Sequence, residues 1–146
     1  MTASRSRKEH KRYAHHQKHI ERPSDGCVFC QLDDKDLQVI TQTRYFKLIQ
    51  NIFPYTLWDS QIVSDHLLVV PREHTDTLAS LPATAAQEFV KLISDYEIKG
   101  YNVYARAPGS AMKSLVHQHT HLIKLSGRKI RFLLYLKRPY GRALVK

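Results

Sequence analysis

Long hydrophobic runs are missing from this 146-residue chain, so no segment reads as a membrane span. A hydrophobic leader is missing too: residues 1–19 are polar and basic, unlike a secretory signal, and a cytoplasmic location is expected. Cysteine is scarce, with two residues, both in Cys27-Val28-Phe29-Cys30. Two thiols cannot build a disulfide-dense scaffold, and C-x-x-C in such a chain points to metal binding or redox chemistry before a structural crosslink. There is one tryptophan, Trp58, and no internal repeat. Acidic residues are absent from residues 124–146, which hold eight Lys/Arg, while residues 1–22 hold seven Lys/Arg against Glu9 and Glu21. The middle carries eight bases against eleven acids, so the net charge of +10 resides at the two ends. Basic ends on a near-neutral body suit polyanions such as nucleotides or nucleic acid; the plain alternative for residues 1–22 is a solvated tail.

Histidine, by contrast, is plentiful. The chain has nine, and three stand at alternate positions in His117-Gln118-His119-Thr120-His121. Side chains alternate between the two faces of a strand, so the three imidazoles would share one face, with Gln118 and Thr120 on the other. The apolar flanks Leu115-Val116 and Leu122-Ile123 suit a strand over residues 114–124. An exposed polar strand or an adventitious metal-binding tract is the competing reading.

Pro23-Ser24-Asp25-Gly26 divides a basic N-terminal extension, residues 1–22, helical or flexible, from one domain over residues 23–146. Strands are expected over 37–41, 46–53, 66–71, 101–107 and 129–136, with 55–65 as a connection. Phe89, Leu92, Ile93 and Tyr96 repeat at helical spacing, which predicts a helix over 83–98 closed by Gly100. Strands in hairpin order around one long helix indicate an α+β fold with an antiparallel sheet. A redox pair would sit at a strand-to-helix turn; here C-x-x-C follows a turn and precedes acidic residues. Tetrahedral zinc needs four N/S ligands, and two histidines drawn from His66, His74 and the triad could complete the set.

Three pieces then stand in order: C-x-x-C, His66-Leu67-Leu68-Val69-Val70-Pro71-Arg72-Glu73-His74, and His-x-His-x-His. Over residues 27–124 they resemble the histidine-triad family of nucleotide-binding hydrolases and transferases, in its zinc-bearing bacterial branch. The resemblance implies a five-stranded antiparallel sheet with one major helix. It implies that His119 is the nucleophile at the α-phosphorus of a nucleoside phosphoramidate or dinucleoside polyphosphate, forming a nucleotidyl-histidine that water hydrolyses. His121, His66 and Ser114 would contact the phosphate. Asn51, with Ile49 and Ile52, would hold the nucleoside, and Lys113 and Arg106 would meet the phosphates. Cys27, Cys30, His74 and His117 would ligate a structural Zn2+ with no open coordination position. A homodimer is expected, with the helix at 83–98 offering a surface.

The chain departs from the family pattern near the substrate. Gln118 and Thr120 replace apolar residues, Met112-Lys113 stands for glycine-glutamine, and Arg106 stands for an asparagine. Lys113 in place of an amide favours substrates with more phosphate charge. Trp58 could stack on a base or anchor packing. The alternative functions are a non-catalytic nucleotide or nucleic-acid binding module on the same fold, and a zinc-stabilised interaction protein.

Overall fold

The computed structural model describes residues 3–19, 26–111, 113, 115–130, 132–137 and 140–145, with residue 17 and residues 131–146 described by backbone at most. Helix α1 spans Arg7–His19. Strands β1 (Val39–Gln42), β2 (Phe46–Gln50), β3 (Leu57–Trp58) and β4 (Gln61–Pro71) follow, then helix α2 (Ala83–Glu97). Strands β5 (Tyr101–Ala105) and β6 (Thr120–Lys129) complete the main sheet, and β7 (Phe132–Lys137) pairs with β8 (Tyr140–Val145) as a separate two-stranded sheet. The main sheet is antiparallel throughout, in the order β1-β2-β4-β6-β5, with β3 added alongside β4. This is the expected α+β architecture, and no helix among the described residues is long and apolar enough to cross a membrane.

Register determines which side chains meet. Leu67 pairs with Leu122, His66 with Ile123 and Leu68 with His121. Directly paired residues share a face. Phe46, Leu48, Leu67, Val69 and Leu122 therefore form one apolar face, covered by Phe89, Leu92, Ile93 and Tyr96 of α2. The residues of α2 that repeat at helical spacing are thus used inside this chain, leaving Val90 and Ile98 exposed. The opposite face presents Ile49, His66, Leu68, Val70 and His121, and the Cys27–Cys30 turn packs on it.

Several boundaries differ from the sequence reading. Residues 55–65 are no plain connection: Asp59 (φ 51°) and Ser60 (φ 60°) make a two-residue hairpin turn joining β3 to a β4 that starts five residues before His66. Positive φ at both central residues fits the twist of a tight hairpin, and Asp-Ser is a less familiar pair for it than Asn-Gly. The histidine strand enters the ladder only at Thr120, because residues 115–119 approach the sheet as a loop that bends at Val116 and His117. The expected strand over 129–136 breaks after Lys129, where β6 ends and β7 opens a hairpin of its own.

The N-terminal segment is helical and packed. Its backbone pairs with the β3 approach through Ser4 and Leu57. Tyr13 meets Phe53 edge-on, with ring centroids 5.3 Å apart, and Arg12 donates to the Ile52 carbonyl at 2.7 Å.

Candidate active site and metal centre

The Cys27–Cys30 turn brings its two sulfurs to the start of the histidine strand. Cys27 Sγ lies 3.2 Å from His117 Nδ1, and Cys30 Sγ lies 3.3 Å from His74 Nδ1. All four donor atoms lie within 4.8 Å of one another, so the structure gathers the four residues named from sequence. Two thiols and two imidazoles suit a tetrahedral N/S metal centre. The His117 ring is oriented from behind: its Nε2–H donates to the Pro71 carbonyl at 3.0 Å, which directs the Nδ1 lone pair toward the sulfurs. Burial pushes the His117 pKa down to about 4, keeping this imidazole neutral. Lys47, buried on β2, donates to the carbonyls of Phe29 and Leu32 and fixes the turn to the sheet.

Beyond the metal-type cluster, His66 and His121 form an ordered chain of protons. The Tyr55 backbone N–H donates to His66 Nδ1 at 3.1 Å. That leaves the proton of neutral His66 on Nε2, which donates to His121 Nδ1 at 2.9 Å. His121 consequently carries its own proton on Nε2. Burial, aided by the nearby Arg5 charge, holds the pKa of His66 down to about 3; burial and then the proximity of His66 hold that of His121 down to about 2. His119 Nδ1–H donates to the His117 carbonyl at 2.9 Å, so the lone pair resides on Nε2. Burial, then the charges of Lys113 and Arg106, lower the His119 pKa as well.

His119 and His121 open onto a cavity of about 570 Å³, a size ordinary for a small-molecule site. Ile49, Asn51, Ile52 and Leu68 line it on the sheet side, and Val28, Phe29 and Leu32 on the turn side. Asn51 is held by the Phe53 N–H donating to its Oδ1 at 2.9 Å, and its Nδ2 rests against the His66 ring. Lys113 and Arg106 stand back from the cavity wall. Lys113 Nζ donates to the Asp76 carbonyl and to Gln118 Oε1, and Arg106 donates to the Tyr55 hydroxyl at 3.3 Å. Their charges reach His119 without lining the cavity. Ser114 lies outside the described residues. Trp58 stacks on Tyr55 at 5.9 Å and packs on Tyr104 at 4.9 Å, which makes it a packing anchor.

Sequence reasoning missed part of the wall. Arg5, Tyr13 and His16 of the N-terminal segment line the cavity beside Phe53. Tyr55 lies against both His66 and His121, at 4.9 and 5.6 Å between ring centroids. The basic character of residues 1–22 was the only signal for Arg5, and it carries no position. Lys47 was hidden inside an apolar strand.

No family model and no curated protein sequence matches the chain. Solved structures do. A protein described as a HIT family hydrolase from Clostridium thermocellum superposes with a TM-score of 0.53 at 21% identity, over 74% of this chain and 99% of its own. A zinc-bound histidine triad family protein from Mycobacterium smegmatis gives 0.52 at 23%, over 72% and 79%. A hypothetical histidine triad nucleotide-binding protein from Sulfolobus tokodaii gives 0.54 at 19%, over 70% and 71%. By these superpositions, this chain has the histidine-triad fold.

Proposed function

We propose that the protein is a nucleotidyl-transferring hydrolase in which His119 Nε2 attacks the α-phosphorus of a nucleoside phosphoramidate or dinucleoside polyphosphate. The observation that carries this reading is the direction of the protons. The His117 carbonyl takes the Nδ1–H of His119, which leaves the nucleophilic lone pair on Nε2 of a ring that lines the cavity. As the N–P bond forms, positive charge develops on the ring and the same carbonyl stabilises it. The leaving group departs with the electron pair of its bond to phosphorus and takes a proton from solvent. Water then displaces His119, splitting one difficult displacement into two easier ones. His121, its Nε2 protonated because His66 occupies Nδ1, donates to a phosphoryl oxygen. Ile49, Ile52 and Asn51 receive the nucleoside, and Ser114 is assigned to the phosphate. Arg106 and Lys113 add long-range positive potential that favours phosphate-rich substrates.

The Cys27, Cys30, His74 and His117 set is assigned to zinc, which supplies a structural crosslink between the N-terminal turn and the histidine strand. The protein is further read as a homodimer. Exposed Val90 on α2, Ile98 just after it and Val103 on the edge strand β5 supply apolar surface for it.

The test is turnover of a fluorogenic adenosine phosphoramidate by wild type and His119→Ala. Loss of turnover with retained nucleotide binding supports the mechanism, and equal turnover refutes it. A second reading, a binding module for nucleic acid, is favoured by the exposed Arg7, Lys8, Lys11 and Lys18 on α1. Salt-sensitive RNA or DNA binding without nucleotide turnover would select it.

A further inference from the structure

We infer that Arg5 is a phosphate-contacting residue, placed at the triad by an N-terminal segment that forms one wall of the substrate cavity. This rests on the nucleotide reading above and adds to it the part of the chain that selects the phosphorylated form of the ligand.

The backbone on either side of Arg5 is fixed. Ser4 N–H donates to Leu57 O at 3.0 Å, Thr56 N–H donates back to Ser4 O at 2.8 Å, and Ser6 N–H donates to Thr56 Oγ1 at 2.8 Å. Helix α1 then seats Tyr13 and His16 on Phe53. The Arg5 side chain is therefore directed rather than free to sweep through solvent. Its guanidinium stands over two rings, 4.6 Å from the Tyr13 centroid and 5.0 Å from that of Tyr55, and its Nε–H donates to the Phe53 carbonyl at 3.1 Å.

What the guanidinium lacks is an anion. It is partly buried, and no carboxylate among the described residues forms an ion pair with it. Its terminal nitrogens make no hydrogen bond to any other described residue. Holding a guanidinium half out of water over two aromatic rings costs solvation, and a planar fork of N–H donors suits phosphate oxygens. Tyr55, the ring beneath Arg5, packs against His66 and His121, so the cation stands beside the histidine pair assigned to the phosphate. Arg5 lines the cavity together with His119 and His121.

The experiment is calorimetric titration of the full chain with adenosine 5′-monophosphate and, separately, with adenosine, for wild type, Arg5→Gln and Arg5→Lys. Loss of a charge-assisted contact should weaken the monophosphate by at least about tenfold in Arg5→Gln while adenosine changes by less than about twofold. Arg5→Lys should fall between, because it keeps the charge and loses the fork. Equal weakening of both ligands would reduce Arg5 to a wall residue and overturn the inference. An unchanged monophosphate affinity, or no binding of it by wild type, would overturn it too. Covalent labelling of His119 is read independently. An adduct that forms equally in Arg5→Gln with unchanged affinity would sink the inference alone, and selective monophosphate binding without an adduct would sink the catalytic reading alone.

Discussion

His66 Nε2 stands 2.9 Å from His121 Nδ1, while the Tyr55 backbone N–H donates to the other ring nitrogen of His66. Because a backbone N–H can only donate, the tautomer of each ring follows from the one before it. The relay positions one proton, on His121 Nε2, for the substrate and needs both imidazoles neutral.

That neutrality predicts a pH dependence of stability. Burial holds the folded-state pKa of His66 to about 3 and that of His121 to about 2, below the roughly 6.5 of an unfolded histidine. Between these values the unfolded chain binds the protons. The stabilisation is therefore complete above pH 6.5 and is lost as pH falls toward the folded values, by about 1.4 kcal/mol per pH unit for each ring. Urea unfolding from pH 7.5 to 5 should show such a slope, to which His117 and His119 also contribute, and His66→Gln should remove about one ring's share of it. A variant with the wild-type slope would count against the neutral pair.

Replacing Cys27 and Cys30 with serine should remove the metal. Elemental analysis should find about one zinc per wild-type chain and almost none in the double variant, with a lower unfolding midpoint. Full metal content in the variant would contradict the ligand assignment.

Lys47→Met tests how the Cys27–Cys30 turn is held. The substitution removes a buried charge, which is favourable, but leaves the Phe29 and Leu32 carbonyls without their donor. Each unsatisfied buried carbonyl costs about 1–3 kcal/mol, so a net loss on the order of 1–2 kcal/mol is expected, together with faster zinc release to a chelator. A variant as stable as wild type would show that the ammonium contributes little.

Much of this site was legible because a strand has a period of two. The spacing of His117, His119 and His121 placed all three on one side, and the cavity receives them there although only His121 lies within the ladder. The same period explains His66 and Leu68, which face the site, and Leu67, which faces α2. C-x-x-C pointed to a metal but left its histidine partners open among His66, His74 and the triad; the family resemblance singled out His74 and His117, which the structure gathers beside the two cysteines. The β3–β4 hairpin escaped because Asp59-Ser60 carries a weak turn signal for the positive φ values it adopts. Arg5 and Tyr55 escaped for a different reason. Arg5 reaches the cavity through the pairing of Ser4 and Ser6 with Thr56 and Leu57, and Tyr55 through its ring contacts with His66 and His121, tertiary contacts with no local periodicity to announce them.

The central claim is covalent catalysis by His119, and intact-protein mass tests it most directly. Wild type and His119→Ala would be mixed briefly with an adenosine phosphoramidate and quenched gently enough to preserve a P–N bond. One added adenylyl group on wild type and none on His119→Ala is the predicted result. An adduct of equal yield on both, or neither adduct nor product from wild type, would contradict it.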